Sequence, residues 1–240
     1  IDGWRLDAAY SVPTRFWAKV TSRVRSAHPN AWLLGEVLHG DYAAFVADSG
    51  IDSVTQYELW KAIWSSIKDR NLYELDWTLR RNNQLLGSFL PNTFIGNHDV
   101  TRIASQIGAD GAVIALVILM TVGGIPSIYY GDEQGFIGIK EERWGGDDEI
   151  RPNFPNSPEE LSPLGAWIFR AHQELIGLRR RHPWLVTATT EMRHLENKRC
   201  TYRSIAAGGS RYVEIDIDLT EVPHAVIWDE EHTELWRRTL

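Results

Sequence analysis

Ile1-Asp2-Gly3-Trp4-Arg5-Leu6-Asp7-Ala8 opens the chain as a short apolar run that passes directly into a carboxylate. Trp32-Leu33-Leu34-Gly35-Glu36 repeats the design, and Phe94-Ile95-Gly96-Asn97-His98-Asp99 repeats it again. Between and after these runs lie longer segments with apolar residues at helical spacing, such as Phe16, Trp17, Val20 and Val24. Strands are expected over 1–6, 31–35, 53–56, 92–96 and 127–130. Helices are expected over 14–27, 42–47, 57–68, 72–86, 112–121 and 164–181. Short strands alternating with helices of this length describe βα units around a parallel sheet. Pro13-Thr14 marks a helix start, Gly50 a helix end, and Gly123-Gly124 stops the apolar helix before Pro126.

Beyond His182-Pro183 the texture changes. Strand patterns over 187–195, 200–206, 211–217 and 224–228 follow one another, separated by Glu196-Asn197-Lys198 and Gly208-Gly209-Ser210. The expected organisation is therefore residues 1–183 as an α/β unit and 184–240 as a small antiparallel β domain.

Composition narrows the function classes. With 43% hydrophobic and 24% charged residues among 240, the chain has a globular balance. The net charge of −7 and the lack of a long basic block argue against nucleic acid as a partner. The longest apolar run, 112–122, is about half of what a membrane span requires. Arg179-Arg180-Arg181-His182 closes a helical pattern, where positive charge complements the helix dipole. One cysteine, Cys200, allows neither an internal disulfide nor a cysteine-based zinc site, and no other spacing demands a metal. Eleven tryptophans provide flat faces for sugar rings, and they equally fill large cores. No glycine-rich phosphate loop follows any strand, which sets aside a nucleotide-binding α/β protein.

The chemistry rests on the three carboxylates. On a strand, Arg5 and Asp7 share a face because side chains alternate. An arginine beside a carboxylate keeps it ionised and oriented, as a nucleophile requires. Taken alone, the pair reads first as a structural ion pair, Glu36 reads equally as a helix cap, and Asn97 and Asp99 are open to a reading in which they satisfy a buried turn. In a βα barrel, however, the C-terminal ends of successive strands build one pocket.

The order Asp, Glu, Asp at three strand ends resembles the α-amylase family. Gly3-Trp4-Arg5-Leu6-Asp7-Ala8 is similar to the family's nucleophile segment, Gly35-Glu36 to its acid/base segment and Asn97-His98-Asp99 to its stabiliser segment. Gly124-Ile125-Pro126-Ser127-Ile128-Tyr129-Tyr130-Gly131-Asp132-Glu133 resembles the strand and turn that close the family's barrel. The resemblance implies an α/β fold comprising a partial (β/α)8 TIM barrel, about its last five βα units, followed by the small antiparallel β domain.

It further implies a retaining glycoside hydrolase or transglycosylase acting on α-glucosidic bonds of maltooligosaccharides or related α-glucans. Asp7 is then the nucleophile, Glu36 the acid/base and Asp99 the stabiliser, with Arg5, Asn97 and His98 as substrate-binding residues. Retention demands a carboxyl separation of roughly 5–5.5 Å. The loop 135–155 is expected to line the cleft, its acidic residues being otherwise plain solvated loop. The family's first three barrel strands, and the inserted domain that often helps bind structural calcium, have no counterpart in the sequence. The expectation is thus a fragment whose open sheet edges favour self-association. No cofactor is certain, and location stays open with the cytoplasm slightly favoured. A competing expectation is a non-catalytic carbohydrate-binding or interaction protein on the same fold.

Overall fold

The computed structural model describes residues 1–238. Its first part is an arc of short parallel strands in sequence order: β1 (Gly3–Leu6), β2 (Trp32–Gly35), β3 (Ser53–Val54), β4 (Asn92–Thr93) and β5 (Ile125–Pro126). β1 pairs with β2 and β2 with β3, both parallel, and β4 pairs parallel with β5. A single bridge from Thr55 to Asn92 joins the two groups. The arc is therefore continuous from β1 to β5. Among the described residues, neither the outer edge of β1 nor that of β5 pairs with another strand.

Helices connect the strands: α1 (Thr14–Ala27), α2 (Tyr42–Ser49), α3 (Tyr57–Lys68), α4 (Tyr73–Leu86), α5 (Ile103–Thr121) and α6 (Ala166–Arg181). Local chemistry sets their ends. Asp41 accepts the Ala44 N–H at 3.0 Å and starts α2, and Gly50 ends it at φ 70°, where a side chain would be strained. α1 is fixed to the arc by Arg25, which meets Asp52 at 2.5 Å, while Asp52 accepts the Leu33 N–H at 2.7 Å.

α5 begins nine residues before the expected 112. Gly108, at φ 74° and ψ 168°, breaks its geometry and joins a short first segment to the apolar run. Val113–Leu119 is fully buried, enclosed by neighbours that include α3, α6 and the second sheet. By length and apolar composition alone α5 would cross a membrane, yet here it is the central core helix. A helix apolar on all sides is stable in water only when surrounded in this way.

The second sheet is antiparallel, ordered β10-β9-β8-β7-β6. Its strands are β6 (Thr189–Leu195), β7 (Arg199–Ile205), β8 (Tyr212–Asp218), β9 (His224–Asp229) and β10 (Glu234–Arg237). Alternation along β7 and β8 sends Cys200, Tyr202, Ser204, Val213, Ile215 and Ile217 inward. All of these but Ser204 join one hydrophobic core with α3, α4, α5 and α6. Across it Tyr202 and Thr121 hydroxyls meet at 2.7 Å, and Asn83 on α4 exchanges hydrogen bonds of 2.8 Å with the Thr190 backbone. β10 is a strand that the sequence pattern does not reveal, because Glu234-Leu235-Trp236-Arg237 offers a single fully inward residue, Trp236.

Other expectations need correcting too: β3 and β4 span two residues each rather than 53–56 and 92–96. The last parallel strand occupies 125–126 rather than 127–130. Gly123 and Gly124 let the backbone approach Ala188 and Pro91 so closely that a Cβ would lie 2.3 Å and 2.8 Å from their carbonyl oxygens, which brings Ile125 into pairing at once. Arg179 does more than complement the dipole at the end of α6. It is buried against the end of α5, donating to the carbonyls of Met120 at 2.9 Å, Val122 at 2.8 Å and Gly124 at 2.7 Å. Burial lowers its pKa to about 10.

Candidate active site

The sequential arc brings the ends of β1, β2 and β4 to one side, so residues separated by up to 94 positions in sequence meet. Arg5 is the centre. One terminal nitrogen of its guanidinium pairs with Asp7 Oδ1, and the other lies 2.8 Å from Glu36 Oε1 and 4.0 Å from Asp99 Oδ2. The two-residue period of β1 is the direct reason that Arg5 and Asp7 face the same way.

The three carboxylates differ sharply in setting. The Asp7 side chain is 82% exposed and open to an incoming molecule, whereas that of Glu36 is 9% exposed. Glu36 is held by the Ala8 N–H at 2.7 Å on Oε2 and by the Tyr57 hydroxyl at 3.5 Å on Oε1. Asp99 is intermediate in exposure. Its Oδ2 lies 3.1 Å from His98 Nε2, and its N–H donates to Asn97 Oδ1 at 2.9 Å.

Asn97 closes the ring by donating from Nδ2 to the Tyr57 hydroxyl at 2.9 Å. Burial is the main reason that the Tyr57 phenol is pushed up to about 12, so it remains a neutral donor toward Glu36 near neutral pH. All six residues singled out from the sequence, Arg5, Asp7, Glu36, Asn97, His98 and Asp99, lie in this one network. The neighbouring cavity, about 410 Å³, is lined by Arg5, Leu34, Thr55, Phe94, Asn97 and His98 among others.

Two further residues contribute, of which Tyr57 escaped sequence reasoning altogether. Tyr57 follows the third strand at its C-terminal end, so the strand-end rule that exposed Glu36 would have found it too. Arg151 belongs to the loop 135–155 that the sequence led us to expect along the cleft, and only its partner was not foreseen. Its Nη2 lies 2.9 Å from Asp99 Oδ1, and its Nε donates to the His98 carbonyl at 2.8 Å. No local pattern announces a contact over 52 positions.

Behind the site sits a buried ion pair, Arg102 with Asp132 at 3.0 Å. The Arg102 guanidinium lies 4.1 Å from the Tyr129 ring centroid and donates to the Tyr130 carbonyl at 2.5 Å. Desolvation raises the Asp132 carboxyl to about 6 despite Arg102. Gly96 is required here, since a Cβ would lie 2.6 Å from Asp132 Oδ2. Among the described residues no group of three or more His, Cys, Asp or Glu side chains is placed to share a cation.

Parallel strands in sequence order that deliver polar side chains to one end define a βα protein whose site is built at the strand C-termini. The chain belongs to the α-amylase family: the catalytic-domain profile of that family matches residues 1–164. Among curated relatives, neopullulanase 2 of Thermoactinomyces vulgaris is 28% identical over 222 residues, covering 90% of this chain and 36% of the relative. A cyclomaltodextrinase of Thermoanaerobacter pseudethanolicus is 35% identical over 147 residues, covering 58% and 25%. A solved cyclomaltodextrinase structure superposes with a TM-score of 0.76 at 26% identity, covering 91% of this chain and 37% of that one. The Anoxybacillus α-amylase structure gives 0.74 at 25%, covering 92% and 48%. The chain thus spans about a third of the length of the curated relatives it matches. The fold is that of the α-amylases, with an antiparallel sheet resembling their C-terminal β domain.

Proposed function

We propose that this chain supplies the catalytic carboxylates of a retaining glycosidase or transglycosylase acting on α-glucosidic bonds of maltooligosaccharides or related α-glucans. One observation carries the reading: a single guanidinium, Arg5, holds Asp7 and Glu36 on separate nitrogens with Asp99 at 4.0 Å. Two carboxyl groups gripped side by side in this way suit the short separation of a retaining pair. Relatives named cyclomaltodextrinase, neopullulanase and maltogenic α-amylase support the substrate class.

In this mechanism Glu36 gives its proton to the glycosidic oxygen as the bond to the anomeric carbon breaks. Asp7, the exposed carboxylate, attacks that carbon and forms a glycosyl ester. Glu36 then takes a proton from water or a sugar hydroxyl, whose oxygen displaces Asp7. Asp99 stabilises the positive charge that develops on the sugar ring, and Arg5, Asn97 and His98 bind hydroxyls and hold the carboxylates. The loop 135–155 lines the cleft.

The proposal includes the organisation. Residues 1–183 form the last five βα units of an eight-stranded barrel, and 184–240 form its β domain. The sequence-ordered parallel arc with two open edges supports this. The groove beside β5, about 530 Å³ and lined by Met120, Pro126, Ile128, Ile176 and Val186 among others, is an apolar face of the kind a barrel covers. Alone in solution, the chain self-associates through these edges.

The test is reducing-sugar release from maltooligosaccharides by this chain, beside Asp7→Asn and Glu36→Gln. Turnover abolished by both substitutions supports the assignment. Turnover that survives either one removes that residue from its role, and an inert wild-type chain rejects it as a working catalyst by itself.

A further inference from the structure

The contact between Arg151 and Asp99 has a geometry beyond that of a chance surface pair. Arg151 places one nitrogen, Nη2, between two carboxylates, 2.9 Å from Asp99 Oδ1 and 2.8 Å from Asp147 Oδ2. A second nitrogen, Nε, donates 2.8 Å to the carbonyl of His98, the residue before Asp99. The guanidinium therefore grips both the side chain of Asp99 and the backbone that carries it. A rigid fork can do this, and a single ammonium cannot satisfy both directions at once.

The backbone that presents Arg151 is itself pinned. The Tyr129 hydroxyl donates to the Ile150 carbonyl at 3.2 Å, and the Tyr130 hydroxyl to that of Pro152 at 2.8 Å. Farther back along the loop, the Lys140 N–H donates to Thr101 Oγ1 at 3.0 Å and the Gly138 N–H to Ser105 Oγ at 2.9 Å. Both hydroxyls lie just beyond Asp99 in sequence. Segments 97–105 and 138–152 thus form one hydrogen-bonded body, with the guanidinium of Arg151 as its bond to the reacting end.

Asp99 has two oxygens in different surroundings. Oδ2 faces His98 at 3.1 Å and Arg5 at 4.0 Å, toward the other carboxylates, while Oδ1 is held by Arg151. The Asp99 side chain is one-third exposed, so packing does not fix its torsion, and a directed bond to one oxygen does. We infer that Arg151 is a positioning residue for Asp99: it holds Oδ1 so that Oδ2 stays turned toward the reaction centre, and it ties that orientation to the loop after β5. The functional weight of this inference rests on the proposed role of Asp99; the orientation itself does not.

Charge and position make opposite predictions, which allows a clean test. The variants are Arg151→Ala, Arg151→Lys, Asp99→Asn and the Arg151→Ala/Asp99→Asn pair, each in the full chain. Binding of the cationic iminosugar 1-deoxynojirimycin is measured by calorimetry, and crystal structures of wild type and both Arg151 variants record the Asp99 torsion. A positioning role predicts that Arg151→Ala turns the Asp99 carboxylate and weakens the iminosugar roughly tenfold or more. Arg151→Lys does not restore affinity, and the double variant is no weaker than Asp99→Asn. If Arg151 acted only through charge, its removal would tighten a cationic ligand and Lys would reverse the change; either result overturns the inference. An Asp99 carboxylate that keeps its orientation in Arg151→Ala overturns it as well. If wild type fails to bind the iminosugar, the glycosidase reading is what fails, and the crystallographic torsions still decide for or against Arg151.

Discussion

The hydroxyl pair between Thr121, at the end of α5, and Tyr202, on β7, permits a prediction in which sign and order follow from geometry. Thr121 Oγ1 donates to the Val117 carbonyl at 2.8 Å, so its remaining capacity is as acceptor, and Tyr202 donates to it at 2.7 Å. Tyr202 is completely buried, and burial pushes its phenol well above the ordinary range, keeping the proton in place. Tyr202→Phe removes the donor and leaves only an acceptor lone pair unused, a loss of about 1 kcal/mol. Thr121→Val leaves the Tyr202 O–H buried without a partner, a loss of about 2 kcal/mol within a range of roughly 1–3. The double variant replaces both hydroxyls by apolar groups of similar shape and recovers part of that loss. For a chain of this size 1 kcal/mol corresponds to about 2–4 °C in Tm. Thermal unfolding followed by near-UV circular dichroism should rank Thr121→Val as the least stable, about 4–8 °C below wild type. Tyr202→Phe should fall about 2–4 °C, and the double variant above Thr121→Val. Additive losses, with the double variant lowest, would refute the donor assignment and the argument built on it.

Two other predictions concern pH and glycine. Asp132 has a folded pKa raised from 3.8 to about 6, so the folded state binds its proton more tightly than the unfolded chain. Its contribution is present below about pH 4 and is lost as pH rises to about 6, by roughly 3 kcal/mol at ~1.4 kcal/mol per unit. Urea titrations across that window should show the slope, and Asp132→Asn should flatten it; an unchanged slope rejects Asp132 as its source. Gly177 lies in α6, where a Cβ would meet only the flexible end of Arg181 at 3.3 Å, so Gly177→Ala should stabilise by about 0.5–1 kcal/mol. At Gly123 a Cβ would lie 2.3 Å from the Ala188 carbonyl, so Gly123→Ala should cost at least ~1–3 kcal/mol, and equal denaturation midpoints for the two variants would contradict both statements.

The sequence exposed most clearly what repeats with a period or ends an element. α1 and α3 occupy the expected residues because their apolar spacing and flanking signals are local. The carboxylate site was legible for a related reason: Asp7 and Glu36 stand immediately after β1 and β2, and Asp99 follows the short apolar run Phe94-Ile95 beyond β4. Long-range partners were not legible. Arg151 reaches Asp99 through a loop without periodicity, and the sequence around Arg179 shows a charge favourable at a helix end but nothing of the carbonyls to which it donates. The start of α5 was missed because Gly108 interrupts the pattern, and β10 because its inward face is too short to alternate. For Arg151 and Arg179 the deciding neighbours lie 52 to 59 positions away, and for α5 and β10 the local signal is interrupted or too short.

The burial of α5 also imposes an order on synthesis. Every residue of the carboxylate network is made within the first 151 positions, but the strands that close over α5 come from roughly the last fifty. A growing chain therefore carries its most apolar helix for many residues before β7, β8 and β9 exist to cover it. During that interval the segment Val113–Leu119 is a sticky surface on an otherwise organised arc, and its safety depends on how soon translation delivers the second sheet.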